Sequence, residues 1–281
     1  MSRGTLYVVA TPLGNLADLS QRAKDVLCSV DLVAAEDTRR SRTLLSHLGA
    51  HPPTVSVHAH AAPAHAERVL RALAEGQTVA LLTDAGTPAI SDPGADLVRA
   101  AREAGAAVVP LPGPSAVVTA LSICGLPADR YTFLGFLPRT GAARRELLAR
   151  LAASEWSVVV FEAANRTVRL LEDLAALLGG DRRAAVAREL TKVHEECRTG
   201  TLQELAGYYR ASPPRGEVTV VVAGGTPPPQ RSDPEAVQRR ASALLAEGLS
   251  RRDVAAQLAG EFGIPRNEAY RLVTETVKRE T

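Results

Sequence analysis

Asp84-Ala85-Gly86-Thr87-Pro88 concentrates more chemically useful residues than any other stretch of the chain. It follows the apolar run 79–82, short enough to be one buried strand, and precedes a helix start spelled by Asp92 as cap and Pro93. Loops at the carboxyl ends of strands are where open α/β sheets bind small ligands. Gly86 permits a positive φ and a close backbone approach, Pro88 stiffens the exit, and Asp84 offers a carboxylate. Three more segments have the same placement: 11–16 (TPLGNL), 36–39 (EDTR) and 112–116 (PGPSA). The last opens a helix over 115–124, whose N-terminal amides suit a carboxylate. Four such loops on one sheet edge describe a small-molecule site.

The acidic candidates are fewer. Glu36 and Asp37 stand at a strand end, where at most one side chain can face the crevice and the other suits the start of the next helix. Glu162 and Glu189 also follow strands, and Glu189 with Lys192 makes either a charged dyad in a cleft or a simple ion pair. His58 and His60 share a strand face near His65, but no carboxylate or cysteine completes a ligand set, so no metal is expected. Cys28, Cys124 and Cys197 contain no C-x-x-C pair, which excludes a zinc knuckle and a disulfide framework. The G-x-G-x-x-G, P-loop and G-x-S-x-G patterns are all missing, which argues against ordinary dinucleotide, P-loop and α/β-hydrolase chemistry.

The elements that must position these residues alternate. Strands are expected at 5–10, 32–35, 54–57, 79–82 and 106–111, with helices at 20–29, 38–49, 64–75 and 92–105 between them. Five apolar strands separated by helices predict a parallel sheet covered on both faces. From residue 131 the pattern changes: strands at 131–135, 157–161, 184–187 and 218–223, and helices at 142–153 and 167–178, read as a second α/β domain with a mixed sheet. The expected division is 1–112, 113–225, a Gly/Pro-rich linker at 226–234 and a helical module at 235–281. The three expected helices of that module resemble a helix-turn-helix, although residues 227–281 carry nine basic and eight acidic side chains and so equally suit a packing module.

Composition sets the outer bounds. A chain of 281 residues, 46% hydrophobic and 23% charged, suits a two-domain globular protein with a small appendage. Net charge is only +2, so total charge does not mark a nucleic-acid binder, although thirty of the 33 cations are arginines. No apolar run reaches the roughly 20 residues of a membrane span. The first residues lack the basic and apolar regions of a signal peptide, so a cytoplasmic location is expected.

The ordered segments 11–18 (TPLGNLAD), 35–39 (AEDTR), 84–94 (DAGTPAISDPG), 110–115 (PLPGPS) and 187–192 (ARELTK) resemble those of the tetrapyrrole-methylase superfamily, and of the branch that methylates small-subunit ribosomal RNA. The resemblance runs from the first strand to Val222. It implies a two-domain enzyme holding S-adenosylmethionine in its cleft. It also implies methylation of a cytidine ribose 2′-hydroxyl in the decoding region of 16S rRNA, within the small ribosomal subunit, by a homodimer. By motif, Asp84, Gly86, Thr87, Ser115 and Ala116 would hold the cofactor, with Leu13, Phe161 and Leu190 lining its pocket. Glu189 or Asp37 would serve as base, Lys192 and Arg39 would hold a phosphate, and Arg139 and Arg166 would join Arg39 in contacting RNA. Two departures stand out. The aromatic-Glu-x-x-His-Arg run is here 161–166 (FEAANR), and Asn165 cannot titrate, so no base is assigned to it. Residues 58–63 (HAHAAP) replace a family Asn-Glu pair. The rival readings are a precorrin or uroporphyrinogen methyltransferase and a non-enzymatic ligand sensor that binds nucleic acid.

Overall fold

The computed structural model describes residues 4–57, 63–92, 94–225, 234–262 and 266–280. Five strands, β1 (Thr5–Val9), β2 (Leu32–Ala35), β3 (Thr54–Ser56), β4 (Thr78–Leu82) and β5 (Ala107–Leu111), form one sheet in the order β3-β2-β4-β1-β5, and every pairing is parallel. Between them run α1 (Gln21–Leu27), α2 (Thr38–His47), α3 (Pro63–Ala74) and α4 (Gly94–Glu103). The Ser20 hydroxyl caps α1, accepting from Ala23 N, and Asp92 accepts from Gly94 N at 2.6 Å where α4 begins. Pro93 itself lies outside the described residues.

Topology then decides where the crevice opens. After β1 the chain moves toward β2, and after β4 it moves the other way, toward β5. Right-handed crossovers put helices on opposite faces in the two cases. Accordingly, Ala23, Leu27, Leu44 and Leu45 of α1 and α2 pack one face, while Val69, Leu73, Leu97 and Ala101 of α3 and α4 pack the other. The neighbours β1 and β4 therefore form the switch point at which α/β sheets bind ligands. The register Val9↔Leu82 and Val9↔Leu111 ends three strands level there.

Helix α5 (Ala116–Ile123) leads to a second sheet built from β6 (Tyr131–Phe136), β7 (Ser157–Ala163), β8 (Arg183–Arg188), β9 (Glu196–Thr201) and β10 (Glu217–Val222). Its order is β6-β7-β10-β8-β9; β6 and β7 are parallel and the other pairs antiparallel, the mixed sheet that the sequence led us to expect. Alternation along β7 sends Val158 and Val160 toward α6 (Gly141–Ala152), α7 (Thr167–Leu178) and α8 (Leu202–Ala211), and Val159 and Phe161 toward α5. Strand β9 and helix α8 have no counterpart in the sequence reading. The reason for β9 is physical: as an edge strand (ECRTGT) it carries almost no apolar alternation. Helix α8 did advertise itself, through the Thr201–Glu204 capping box.

Residues 225–281, with the short segment 153–155, form a separate compact unit. Helices α9 (Pro234–Ala246), α10 (Arg251–Phe262) and α11 (Arg266–Glu280) bury Val237, Leu244, Val254, Leu258, Ala269 and Val273 against one another. Gly248, at φ 86°, ends the first of them as its position in the sequence predicts.

Candidate active site

The crevice is assembled by hydrogen bonds between strand-end loops. Thr11 and Gly86 exchange backbone bonds of 2.8 and 3.0 Å, and the Thr11 hydroxyl donates to the Thr83 and Gly86 carbonyls. Thr87 Oγ1 donates to the Pro114 carbonyl at 3.0 Å, which ties the third loop to the fourth. A Cβ on Gly86, whose φ is 83°, would lie 3.3 Å from Leu13 Cδ2, so the backbone passes close beneath that side chain.

Glu36 and Asp37 divide the roles that the sequence left open. Glu36 turns inward: Oε2 accepts from Thr83 Oγ1 at 2.9 Å and from Asp84 N at 3.3 Å. Burial raises its pKa, opposed by those two bonds and assisted by the charges of Asp92 and Asp84. Asp37 instead caps α2. Its Oδ1 accepts from Arg39 N and Nε, its Oδ2 pairs with Arg39 Nη2 at 2.8 Å, and these bonds hold the carboxyl far below the usual range. A carboxylate so held is a poor proton acceptor. Asp84 Oδ1 accepts from Asp37 N at 3.1 Å, while Oδ2 lies 3.4 Å from Arg40 Nη1.

The second sheet closes the other wall. Glu189 Oε1 accepts from Lys192 Nζ at 2.9 Å and from Glu217 N at 3.2 Å, and Lys192 Nζ also lies 3.6 Å from Glu217 Oε2. The bond from Lys192 holds the Glu189 carboxyl below its ordinary range. Burial pulls the Lys192 pKa down, but the carboxylates of Glu189 and Glu217 outweigh it and leave it raised. The Lys192 chain crosses Gly14, where a Cβ would fall 2.2 Å from Lys192 Cγ. A glycine thus lets a loop of the first sheet seat a lysine of the second. Among the described residues the non-glycine positions with positive φ are Ala89, Ser91, Glu189 and Thr191, two in the loop after β4 and two in the loop after β8. Such strain, of order 1–3 kcal/mol per residue, collects at functional sites.

A cavity of about 470 Å³ lies between these walls, within the usual range for small-molecule sites. Of the cofactor residues expected from the sequence, Leu13, Asp84, Ala116 and Phe161 line it. Gly86 and Thr87 lie behind that lining in the loop-to-loop bonds, Ser115 is the N-cap residue of α5, and Leu190 packs with Leu13 and Phe161 in the apolar cluster between the sheets. Neither expected base lines the cavity: Asp37 is a helix cap and Glu189 belongs to the Lys192 pair. Arg39 projects into solvent with 86% of its side chain exposed. Arg139 and Arg166 line a neighbouring cavity of about 360 Å³. His58 and His60 lie outside the described residues, and among the described ones no cluster of three potential metal ligands occurs. Glu36 and Glu162, acidic candidates with no cofactor role assigned from the sequence, also line the main cavity, as does Gly216, which the sequence does not mark. The available signal was positional: Glu36 directly follows a four-residue strand that is buried throughout.

The family model of the tetrapyrrole (corrin/porphyrin) methylases matches residues 5–206. The chain belongs to this methylase family. A protein named ribosomal RNA small subunit methyltransferase I from Synechocystis is 44% identical over 97% of this chain and 98% of its own length. Proteins of the same name from Xylella fastidiosa and Escherichia coli O157:H7 are 46% and 44% identical over 95% and 98% of this chain, and over 98% and 96% of their own. Among solved structures, a cobalt precorrin-4 methyltransferase superposes with a TM-score of 0.60 at 18% identity, covering 78% of this chain and 94% of that one. A uroporphyrin-III C-methyltransferase from Thermus thermophilus gives 0.55 at 24%, with the same coverage. These two share the fold.

The cofactor of this methylase is S-adenosylmethionine. The residues present fit it. Leu13, Ile90, Ala116 and Phe161 supply apolar wall for a ring, and Glu36 and Asp84 supply the negative charge that a sulfonium and an amine require. Gly86, bare of a Cβ beside Leu13 and Pro114, lets the loops pack closely enough to hold Leu13 in that wall.

Proposed function

We infer that this methylase transfers a methyl group to the ribose 2′-hydroxyl of a cytidine in the decoding region of 16S rRNA. The observation that carries the reading is the likeness, over nearly the whole chain, to proteins named ribosomal RNA small subunit methyltransferase I. The cytidine and its 2′-oxygen follow from the motif resemblance. On this reading the reaction takes place in the cytoplasm, on the small ribosomal subunit, and the enzyme works as a homodimer.

S-adenosylmethionine supplies a methyl group on a positively charged sulfur, so departure neutralises charge and needs no metal. The chain's task is to hold and orient. Asp84 holds the cofactor's polar groups, Leu13, Ala116 and Phe161 form the apolar wall, and Gly86, Thr87, Ser115 and Leu190 support that wall from behind. Lys192, fixed by Glu189 and lying over Gly14, locks the two walls in register. Arg139 and Arg166 face the RNA, and Arg39 adds an exposed cation at the rim.

The test is direct. Purified protein, methyl-labelled cofactor and small subunits lacking the modification are incubated, and the 2′-O-methyl sites are mapped by mass spectrometry. Label on one cytidine ribose supports the reading; label on a tetrapyrrole and none on RNA refutes it. Cofactor binding with no transfer to either acceptor favours the sensor instead.

A further inference from the structure

Beyond the cofactor cavity lies a second cavity, and Glu162 is the residue that lines both. Arg139, Arg144, Asn165, Arg166 and Arg169 line this second space. Two of these arginines are already fixed. Arg144, nearly buried, donates to the Pro138 carbonyl at 3.1 Å and to Asp173 Oδ2 at 2.7 Å, and Arg166 pairs with Glu162. Arg139 and Arg169 are exposed, and no described acidic group neutralises them. Glu162, the acid in this lining, is already shared with Arg166, so the space carries an excess of positive charge. Such a space suits phosphate, and planar guanidinium groups grip phosphate oxygens in pairs.

A second observation narrows the ligand. Glu162 is only 1% exposed along its side chain; Oε1 takes Arg166 and accepts from Ala163 N at 2.8 Å, but Oε2 has no hydrogen-bond partner. A buried carboxylate oxygen without a donor is costly. A ligand with phosphate alone would not relieve it, because phosphate brings acceptors. A ribose-phosphate chain brings both halves: phosphate oxygens for the arginines and a hydroxyl donor for Glu162.

We propose that this arginine-lined cavity binds the ribose-phosphate backbone of the RNA at the reacting nucleotide, with Arg139 and Arg169 on phosphate and Glu162 Oε2 accepting the hydroxyl hydrogen. The proposal rests on the RNA reading above. It gives the backbone a direction, phosphates outward and hydroxyl toward the cofactor cavity. In the transfer step the oxygen–carbon bond forms as the carbon–sulfur bond breaks. The bonding pair leaves on sulfur, and the hydroxyl proton passes to Glu162 Oε2. The same contact distinguishes RNA from DNA, which has no 2′-hydroxyl.

The experiment compares the wild type, the double variant Arg139→Ala/Arg169→Ala and Glu162→Gln. Binding to an RNA of the target sequence and to its DNA counterpart is measured across a salt series, with cofactor affinity and thermal midpoint as controls on the fold. The double variant is expected to lower the log–log salt slope by about 1.4–1.8, two phosphate contacts at roughly 0.7–0.9 each, while cofactor affinity stays within about twofold. Glu162→Gln, which keeps the side-chain volume but frees Arg166 of its partner, is expected not to lower the slope, to reduce the preference for RNA over DNA about tenfold or more, and to slow single-turnover transfer by about 10²–10⁴. Glu162→Asp is expected to recover part of the rate. A wild type that methylates 16S rRNA, beside a double variant with an unchanged slope, overturns the site alone. A wild type that binds cofactor but neither binds nor methylates RNA overturns the RNA reading, and the site with it.

Discussion

Gly216→Ala tests how tightly the strained loop of the second sheet is packed. Gly216 has a φ of 79°, and a Cβ there would sit 1.9 Å from Glu189 Oε1 and 2.3 Å from Glu189 Cδ. Alanine held at positive φ costs about 1–2 kcal/mol. The Glu189 carboxylate must also leave, giving up its bonds to Glu217 N and Lys192 Nζ. The first is worth about 1 kcal/mol. The second joins side chains 29% and 19% exposed, so solvent screening limits it to about 0–1 kcal/mol. The sum is roughly 2–4 kcal/mol, and at about 2–4 °C per kcal/mol for a body of this size the thermal midpoint should fall by about 4–16 °C. A double-mutant cycle with Glu189→Ala separates the two parts. Once that carboxylate is gone, Gly216→Ala should cost only the backbone share, leaving a coupling of about 1–2 kcal/mol in denaturant unfolding. Equal costs in both backgrounds would refute the steric account.

Asp84→Ala is expected to weaken cofactor binding by roughly 10–150-fold, the loss of one hydrogen bond to a charged group, and unchanged calorimetric affinity would contradict that placement. Glu36 is raised by burial, so its ionised form is disfavoured in the folded protein and it subtracts stability as pH rises above the ordinary glutamate range near 4.3. Glu36→Gln, which keeps an acceptor for Thr83 and Asp84, should therefore gain on the wild type at neutral pH and lose that advantage in acid; urea melts at several pH values read the sign. Asp37 is depressed by its side-chain and backbone bonds to Arg39, so its contribution is present above the ordinary aspartate range near 3.9 and lost as pH falls toward its folded value. The gap in thermal midpoint between Asp37→Asn and wild type should stay level from pH 7 to 5 and shrink only below about pH 4.

Much of the architecture is legible in the sequence because it is written in local terms. Short apolar runs bounded by Gly, Asp and Ser mark the strands of a parallel sheet, since a strand covered on both faces must be apolar throughout. Caps such as Ser20 and stops such as Gly179 sit where the helices begin and end, because the orphan amides and carbonyls of a helix end are satisfied within a few residues. Loops after β1, β2, β4 and β5 share an edge by the parity of parallel strands. Edge strand β9 escapes because half-exposed positions relax the demand for apolar residues.

What the tertiary structure alone decides is which member of each candidate set meets which partner. Glu36 and Asp37 are neighbours in sequence, yet the twist at the end of β2 sends one to Thr83 and leaves the other to cap a helix. Lys192 finds Gly14 across a separation of 178 positions because both lie where two sheets meet. Glu162 joins two cavities because alternation at the end of β7 turns it away from the face that carries Phe161. Periodicity and capping act over a few residues and can be read along the chain. Contacts across a crevice depend on strand order, and strand order is set by the packing of the whole.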